Sequence, residues 1–385
     1  MPASRFLPVL LISISSLAFQ ARPQAAAPVD RVVEAELSAL DTGDLQRFLG
    51  SVDAEIRPYL PDFRPAEAGG KTFSPGGLAR NLLLRLAREL ALNAHLLGKL
   101  VLLAVLCALL AHLGNSFAPE GTNRLAFYVC YLVMMGLAAN SFLATLGLSR
   151  DAIGDLVGFM YALIPVVCSL LASVGAAATA ALFNPLIVGG VAAIGHLVLD
   201  FVLPLASLTA VVTLVSHLAE GFSLSRLAGL LRDLTVAAAG VILAGFVGLV
   251  TVRGVAAAAA DGVALRTAKY VSGTFVPVVG KGLSDAMETV AGCSLLLKNT
   301  VGGFGAWTVL VLTAFPLVKI LALAAIYRLA AALVQPLGDS RLADALQAIG
   351  GGFILLFAVT ALVGLAFLLG LTILVALGNF TYALR

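Results

Sequence analysis

Long runs without Lys, Arg, Asp or Glu follow one another along most of this chain, separated by short polar breaks. A helix of about 20 apolar residues crosses the hydrocarbon of a bilayer, so each run is long enough for at least one span. The pattern predicts an all-α, polytopic membrane protein with roughly six to eight transmembrane helices. The runs are Leu100–Pro119, Leu125–Ser149, Leu156–Leu199, Leu234–Val252, Asn299–Val318 and Ala345–Leu384.

The first residues have the layout of a secretory signal peptide. Arg5 precedes an apolar core, Phe6–Phe19, and small residues follow. We therefore expect a signal peptide over residues 1–27, and the alternative is an uncleaved anchor. Residues 28–77 are polar and contain too few large apolar side chains for an independent core. They predict a small extracytoplasmic helical segment that docks on another surface.

The rest of the chain divides by its polarity pattern. Residues 78–97 repeat leucine every four positions, which predicts an amphipathic helix leading into the first span. We expect transmembrane helices over 98–260, an amphipathic segment over 261–302, and transmembrane helices with a short C-terminus over 303–385. The individual spans are predicted at Ala91–Leu113, Leu125–Leu148, Ile153–Ala176, Ala177–Leu199, Val202–Leu218, Leu234–Val252, Gly303–Leu333 and Ile349–Leu377.

These spans conflict with the positive-inside rule at one point. If the N-terminal segment is extracytoplasmic, five spans before His217 place Arg226 and Arg232 in the cytoplasm, as the rule prefers. One further span places the cations of 261–302 outside, against the rule. Either a span within Leu156–Leu218 is miscounted, or the segment 261–302 is re-entrant or interfacial.

Ordered charge and glycine distinguish the segment 261–302 from the apolar chain around it. Lys281, Asp285 and Glu288 recur at i, i+4 and i+7, which would place them on one helical stripe. The segment predicts two short amphipathic helices joined by a Pro/Gly hinge, either as a connector on the membrane surface or as a segment that lines a pore or binds a partner. The candidate residues are Arg266, Lys269, Pro277, Lys281, Asp285, Glu288, Lys298 and Asn299.

Three polar residues within predicted spans are further candidates. His196 and Asp200 stand at i, i+4, a spacing that suits either a structural pair or a proton relay. Lys319 follows Pro316 by three residues and requires a carboxylate such as Asp200 or Asp155, a carbonyl freed at the proline kink, or a water-filled path. These options leave a structural bridge and a functional polar pathway open.

Composition and motifs narrow the function classes. The chain has 385 residues, of which 60% are hydrophobic and 12% charged, and this excludes a soluble domain. A net charge of +3 gives no nucleic-acid footprint. The sequence contains no GxSxG, HExxH or phosphate-binding loop, and its four cysteines form no CxxC pair. We therefore expect no enzymatic activity, no catalytic residue, no metal site and no cofactor.

Two stretches of the C-terminal third resemble a known family. They are RTAKYVSGTFVPVVGKGLSDA at Arg266–Ala286 and CSLLLKNTVG at Cys293–Gly302, and they are followed by the region of Pro316 and Lys319 and by LVQPLGD at Leu333–Asp339. This region resembles the stage III sporulation protein AE family of endospore-forming bacteria. The rest of the chain matches as a hydropathy profile after a leader peptide.

The resemblance implies a non-enzymatic core subunit of the channel or secretion-like complex between mother cell and forespore, in the mother-cell membrane around the forespore. The implied partners are the other stage III sporulation A proteins, including a secretion-type ATPase and ring-forming subunits, together with membrane lipid and no nucleic acid. One alternative is a secondary transporter or permease that uses Asp200, His196 and Lys319 as coupling groups. Another is a purely structural membrane scaffold.

Overall fold

The computed structural model describes residues 42–60, 75–117, 120–218, 224–275, 279–337 and 340–383. The predicted signal peptide lies outside these residues. Every regular element in the described part is helical, which confirms the all-α fold class. The helices are α1 (Gly43–Ser51), α2 (Pro75–Leu92), α3 (Ala94–Phe117), α4 (Glu120–Ser173), α5 (Ala177–Leu197), α6 (Leu203–Leu218), α7 (Ser225–Phe275), α8 (Val279–Val334) and α9 (Ser340–Ala383).

Five helical stretches in the described part are long and apolar enough to cross a membrane. A sixth results if Gly76–Leu92 and Ala94–Leu110, which are bent by 43° at their junction, are counted as one span. The five apolar stretches contain 37 to 46 residues each, about twice what one crossing requires. The protein is therefore a multi-pass helical bundle whose helices exceed the thickness of a bilayer.

Two predicted breaks between spans are wrong. The spans Leu125–Leu148 and Ile153–Ala176 form one continuous helix, α4. A change from apolar to charged side chains at Arg150 and Asp151 ends an apolar run, but it leaves the backbone hydrogen bonds of a helix intact. The predicted break after Leu199 is also absent, because the π-helical segment Val198–Val202 joins α5 directly to α6.

The core forms where the long helices pack side by side, most extensively between α8 and α9 and between α7 and α9. Glycines permit the closest approaches. A Cβ added at Gly302 of α8 would overlap the Val375 side chain of α9, and one added at Gly364 of α9 would overlap Thr313 of α8. Gly305 meets Leu163 of α4 in the same way. Small residues thus bring these backbones into contact, as in other membrane bundles.

The sequence predicted two short helices over the segment 261–302, but the structure has parts of two long helices there. Its first part is the end of the 51-residue helix α7, and its second part is the beginning of the 56-residue helix α8. Helix α7 ends at Phe275 and α8 begins at Val279, and the predicted Pro/Gly hinge falls between them. Pro277 itself lies outside the described residues.

Candidate functional site

The N-terminal segment contacts the middle of α8 through charged groups. Glu55 Oε2 accepts a hydrogen bond from Arg85 Nη2 of α2 at 2.5 Å and one from Lys319 Nζ of α8 at 3.1 Å. The Glu55 side chain is 56% exposed, Lys319 33% and Arg85 17%. We call Glu55, Arg85 and Lys319 the polar junction. One carboxylate there joins three separate parts of the chain.

Apolar and aromatic contacts support the polar junction. The rings of Tyr59 and Phe315 are 4.8 Å apart, and the Arg85 guanidinium lies 4.4 Å from the centre of the Phe315 ring. Trp307 Nε1 donates a hydrogen bond to the Tyr59 carbonyl at 3.2 Å. Leu78 of α2 packs in the same cluster. The expected docking of the polar N-terminal segment therefore takes place on this chain's own bundle.

The partner of Lys319 differs from the two carboxylates suggested by the sequence. The structure pairs Lys319 with Glu55, and it pairs Asp200 with His196. Asp155 lies on α4 within electrostatic range of Asp151 and Asp53. The physical reason is that the N-terminal segment reaches the bundle and brings the Glu55 carboxylate to Lys319. Lys319 therefore needs no carboxylate from another apolar run as its partner.

The His196 and Asp200 side chains contact each other at the surface of the bundle. His196 Nδ1 lies 3.3 Å from Asp200 Oδ2, and the two side chains are 82% and 72% exposed. Asp200 belongs to the π-helical segment. A pair so exposed has no enclosed path for protons around it in the single chain. The geometry therefore agrees with the predicted i, i+4 contact and does not by itself support a relay.

Charged groups from several helices share one height in the bundle. Asp53, two residues before Glu55, is within electrostatic range of Asp155 on α4. A Cβ at Gly195 of α5 would lie 3.3 Å from Val157 of α4, so His196 is level with this part of α4. We call this group the ionisable belt. It comprises Glu55, Arg85, Asp155, His196, Asp200 and Lys319.

Lys298 is held inside the bundle. Its side chain is fully buried, and Nζ donates to the Val375 carbonyl at 2.8 Å and to Asn379 Oδ1 at 2.7 Å. No carboxylate pairs with it in the part of the chain that the structure describes. Lys298 therefore links α8 to α9 and is not available to a partner at the surface of one copy, whereas its neighbour Asn299 is exposed.

A buried carboxylate caps the start of α5. Asp261 of α7 accepts hydrogen bonds from the backbone N–H of Thr179, at 2.9 Å, and from the Thr179 hydroxyl. The first N–H groups of a helix have no partner within it, and the helix dipole favours negative charge there. Asp261, from helix α7, supplies both a hydrogen-bond acceptor and a negative charge at this end of α5. The remaining candidates of the segment 261–302 lie in α7 and α8 with side chains outside the described residues: Arg266, Lys269, Lys281, Asp285 and Glu288.

Comparison with known proteins decides the family. The sequence model described as stage III sporulation protein AE matches residues 62–378. The stage III sporulation protein AE of Bacillus subtilis (strain 168) is 36% identical over 397 aligned residues, which cover 99% of this chain and 100% of that protein. The chain belongs to the stage III sporulation protein AE family. No solved structure matches it.

Membership of the stage III sporulation protein AE family confirms the resemblance and supports a role in sporulation. The family's description names a stage of sporulation and no reaction. In the described ranges, no group of three or more His, Cys, Asp or Glu side chains could hold a metal ion. The contacts observed among these residues are charge pairs and hydrogen bonds between segments.

The sequence alone did not identify Glu55, Arg85 and Asp261 as residues that join separate segments of the chain. A usable signal existed for Glu55, since a polar segment that docks on an apolar bundle must bring partners for any charge it covers. Asp261 carried a second signal, because it ends an alanine-rich run of a membrane helix. Charges at such positions are costly unless they are paired.

Acid should release the N-terminal segment from α8. Hydrogen bonding to Lys319 and Arg85 holds the pKa of the Glu55 carboxyl below its ordinary value of 4.5. Ionised Glu55 therefore favours docking above about pH 4.5, and this contribution is lost as the pH falls through the lower, docked-state pKa. Trp307 is the only tryptophan, so undocking should appear as a red shift of its fluorescence. Glu55→Gln should remove this acid transition; an unchanged transition in that variant would assign it to other carboxylates.

Proposed function

We propose that this protein is a non-enzymatic core subunit of the channel or secretion-like complex between mother cell and forespore, seated in the mother-cell membrane around the forespore. Its proposed partners are other stage III sporulation A proteins, including a secretion-type ATPase and ring-forming subunits. Family membership supports the role in sporulation. The apolar outer face of α7 supports the role as a subunit.

That face is too long for a bilayer to cover. Leu227, Leu230, Val241, Val252 and Val263 are all exposed along α7. They extend over 37 residues, or about 54 Å of helix, whereas the hydrocarbon is about 30 Å thick. Exposed apolar surface beyond the bilayer is unfavourable in water and marks protein contacts. This surplus is the observation on which the proposal of a multi-protein assembly rests.

The charges indicate which half of the bundle lies in the bilayer. Between the ionisable belt and Lys298, helix α8 has no charge over residues 299–318, and α7 has none over Leu234–Val252. Both stretches contain about 20 residues, the length of one crossing. On the other side of the belt, α7 carries Arg226, Arg232 and Asp233, and α8 carries Arg328. The half beyond the belt therefore stands outside the hydrocarbon and needs protein cover.

This placement also removes the conflict with the positive-inside rule. The helices α4, α5, α7, α8 and α9 each cross once, and the bent pair α2–α3 stays on the side of the N-terminal segment. Only two crossings then precede α7, so the interruption between α7 and α8 faces the side opposite the N-terminal segment. With a cleaved leader that side is the cytoplasm, where the cations of 261–302 satisfy the rule.

Cysteine accessibility tests both the bilayer position and the protein cover. In a chain with all four native cysteines changed to Ala, Leu230→Cys and Val241→Cys form a matched pair, because the two native side chains are 61% and 71% exposed in one copy. When the chain is expressed alone, a water-soluble maleimide should label Leu230→Cys and spare Val241→Cys. In sporulating cells, partners should shield Leu230→Cys as well.

Two results would contradict this proposal. Protection of Leu230→Cys in the chain expressed alone would place that half inside the bilayer. Equal labelling of Leu230→Cys in sporulating cells would mean that no subunit covers it. Capture after cross-linking through this cysteine should recover the ATPase or ring-forming subunits of the stage III sporulation A set, and recovery of none of them would remove the proposed partners.

The transporter alternative has less support. It requires Asp200, His196 and Lys319 to converge on one path. Lys319 instead bonds to Glu55, and the His196 and Asp200 side chains point out of the bundle.

A further inference from the structure

A cavity of about 340 Å³ opens where α6 ends and α7 begins. Residues of α8 and α9 close its other sides, and Phe142 of α4 lies in its wall. The cavity is large enough for part of an amphipathic ligand, since small-molecule sites start at about 300 Å³. It belongs neither to the polar junction nor to the Lys298 contact.

Two arginines give the cavity a positive wall. Arg232 of α7 and Arg328 of α8 are the only charged side chains among the described residues that line it. Neither forms an ion pair or a hydrogen bond with another residue of the described ranges. Ser216, Ser225 and Gln347 add hydroxyl and amide groups to the same wall. The arrangement suits an anion, and above all a phosphate, which arginine binds through two parallel hydrogen bonds.

Consecutive glycines of α9 make room for the arginines. A Cβ at Gly350 would lie 3.0 Å from Arg328 Cγ, and one at Gly351 would lie 3.9 Å from Arg232 Nη1. Both arginine side chains therefore pack against the same turn of α9 and line one cavity.

Most of the remaining lining is apolar. Phe142, Leu214, Ile349 and Leu355 continue the wall from the arginines into the bundle. A free phosphate ion would leave these side chains facing water or empty space. A ligand with a phosphate head and a hydrocarbon tail would cover both parts of the lining.

We propose that this cavity binds one anionic phospholipid, with its phosphodiester between Arg232 and Arg328 and an acyl chain along Phe142 and Leu355. Basic pockets between transmembrane helices bind such head groups. The proposal itself rests on the cavity and its charges, and it can be tested without any partner protein.

The test uses the purified full chain in detergent and measures its thermal unfolding midpoint with added lipid. Dioleoyl-phosphatidylglycerol should raise the midpoint by several degrees (about 4 °C), while phosphatidylcholine with the same acyl chains should not. The double variant Arg232→Gln/Arg328→Gln should lose this rise and bind phosphatidylglycerol about 10-fold more weakly or worse. Arg226→Gln, at the same end of the bundle but outside the cavity, should behave like the wild type.

Three outcomes would overturn the proposal. Phosphatidylcholine has the same phosphodiester but no net charge. Equal stabilisation by this lipid would show that the site does not require an anionic head group. Full competition by inorganic phosphate would make the ligand a free anion. An unchanged response of the arginine double variant would place the lipid elsewhere. If that variant does not fold, Ala348→Phe keeps both charges and fills the cavity, so it should block the lipid response; retention of the response would then contradict the site.

Discussion

Gly302→Leu is expected to prevent the close packing of α8 on α9, while Gly303→Leu, one residue later, should leave it intact. At Gly302 even a Cβ overlaps Val375, a β-branched residue with little freedom to move away. At Gly303 a Cβ meets nothing within 4 Å. Overpacking costs about 1–3 kcal/mol and more where a backbone must shift. Gly303→Leu should gain up to about 1 kcal/mol of helix propensity.

The pair controls for helix propensity and added hydrophobicity, because both variants make the same change in the same turn. The measurements are membrane abundance in cells and the thermal midpoint in detergent. Gly302→Leu should lower both, and sporulation should fail with them. Similar behaviour of the two variants would show that the α8–α9 contact does not depend on this glycine.

Lys298→Met is expected to destabilise the bundle by about 1.5–3 kcal/mol, the cost of losing hydrogen bonds to a charged group and leaving a buried acceptor without a donor. The variant keeps the length of the side chain but leaves the buried Val375 carbonyl without its Lys298 Nζ donor. Asn299→Ala, at the exposed neighbour, should have little effect on the thermal midpoint.

This result separates a structural Lys298 from one that contacts a partner. A structural lysine lowers the stability of the isolated chain when it is replaced. A partner contact would leave the isolated chain unchanged and reduce only co-purification with other sporulation proteins. The second pattern would contradict the burial of Lys298 between α8 and α9.

The apolar runs predicted the fold class because membrane helices need about 20 residues without charge, and this requirement is visible in sequence. They could not predict helix ends. Arg150 and Asp151 interrupt the apolar run but leave the backbone hydrogen bonds of the helix intact, so two predicted spans became α4. Pro165, Pro185 and Pro316 all lie inside helices, which shows that even proline was an unreliable boundary here.

The polar contacts were harder to predict than the spans. The sequence predicted that Lys319 has a partner, since a charge in an apolar run must be compensated. The identity of that partner depended on how the N-terminal segment folds back over 264 residues of chain. Lys298 showed the opposite difficulty. It stands in a segment with several surface-like charges, and only the packing of α9 turns it into an interior residue.

The π-helical segment Val198–Val202 has a consequence for how this apolar stretch can change in evolution. A π turn accommodates one residue more than an α turn, and each residue advances a helix by about 100°. The insertion therefore sets the rotational phase of α6 relative to α5. Deleting one residue there would leave hydropathy and length almost unchanged, yet it would turn Val202, Ala206 and Ala210 away from the core. Single-residue gaps at this position should thus be rare, although the composition alone would permit them.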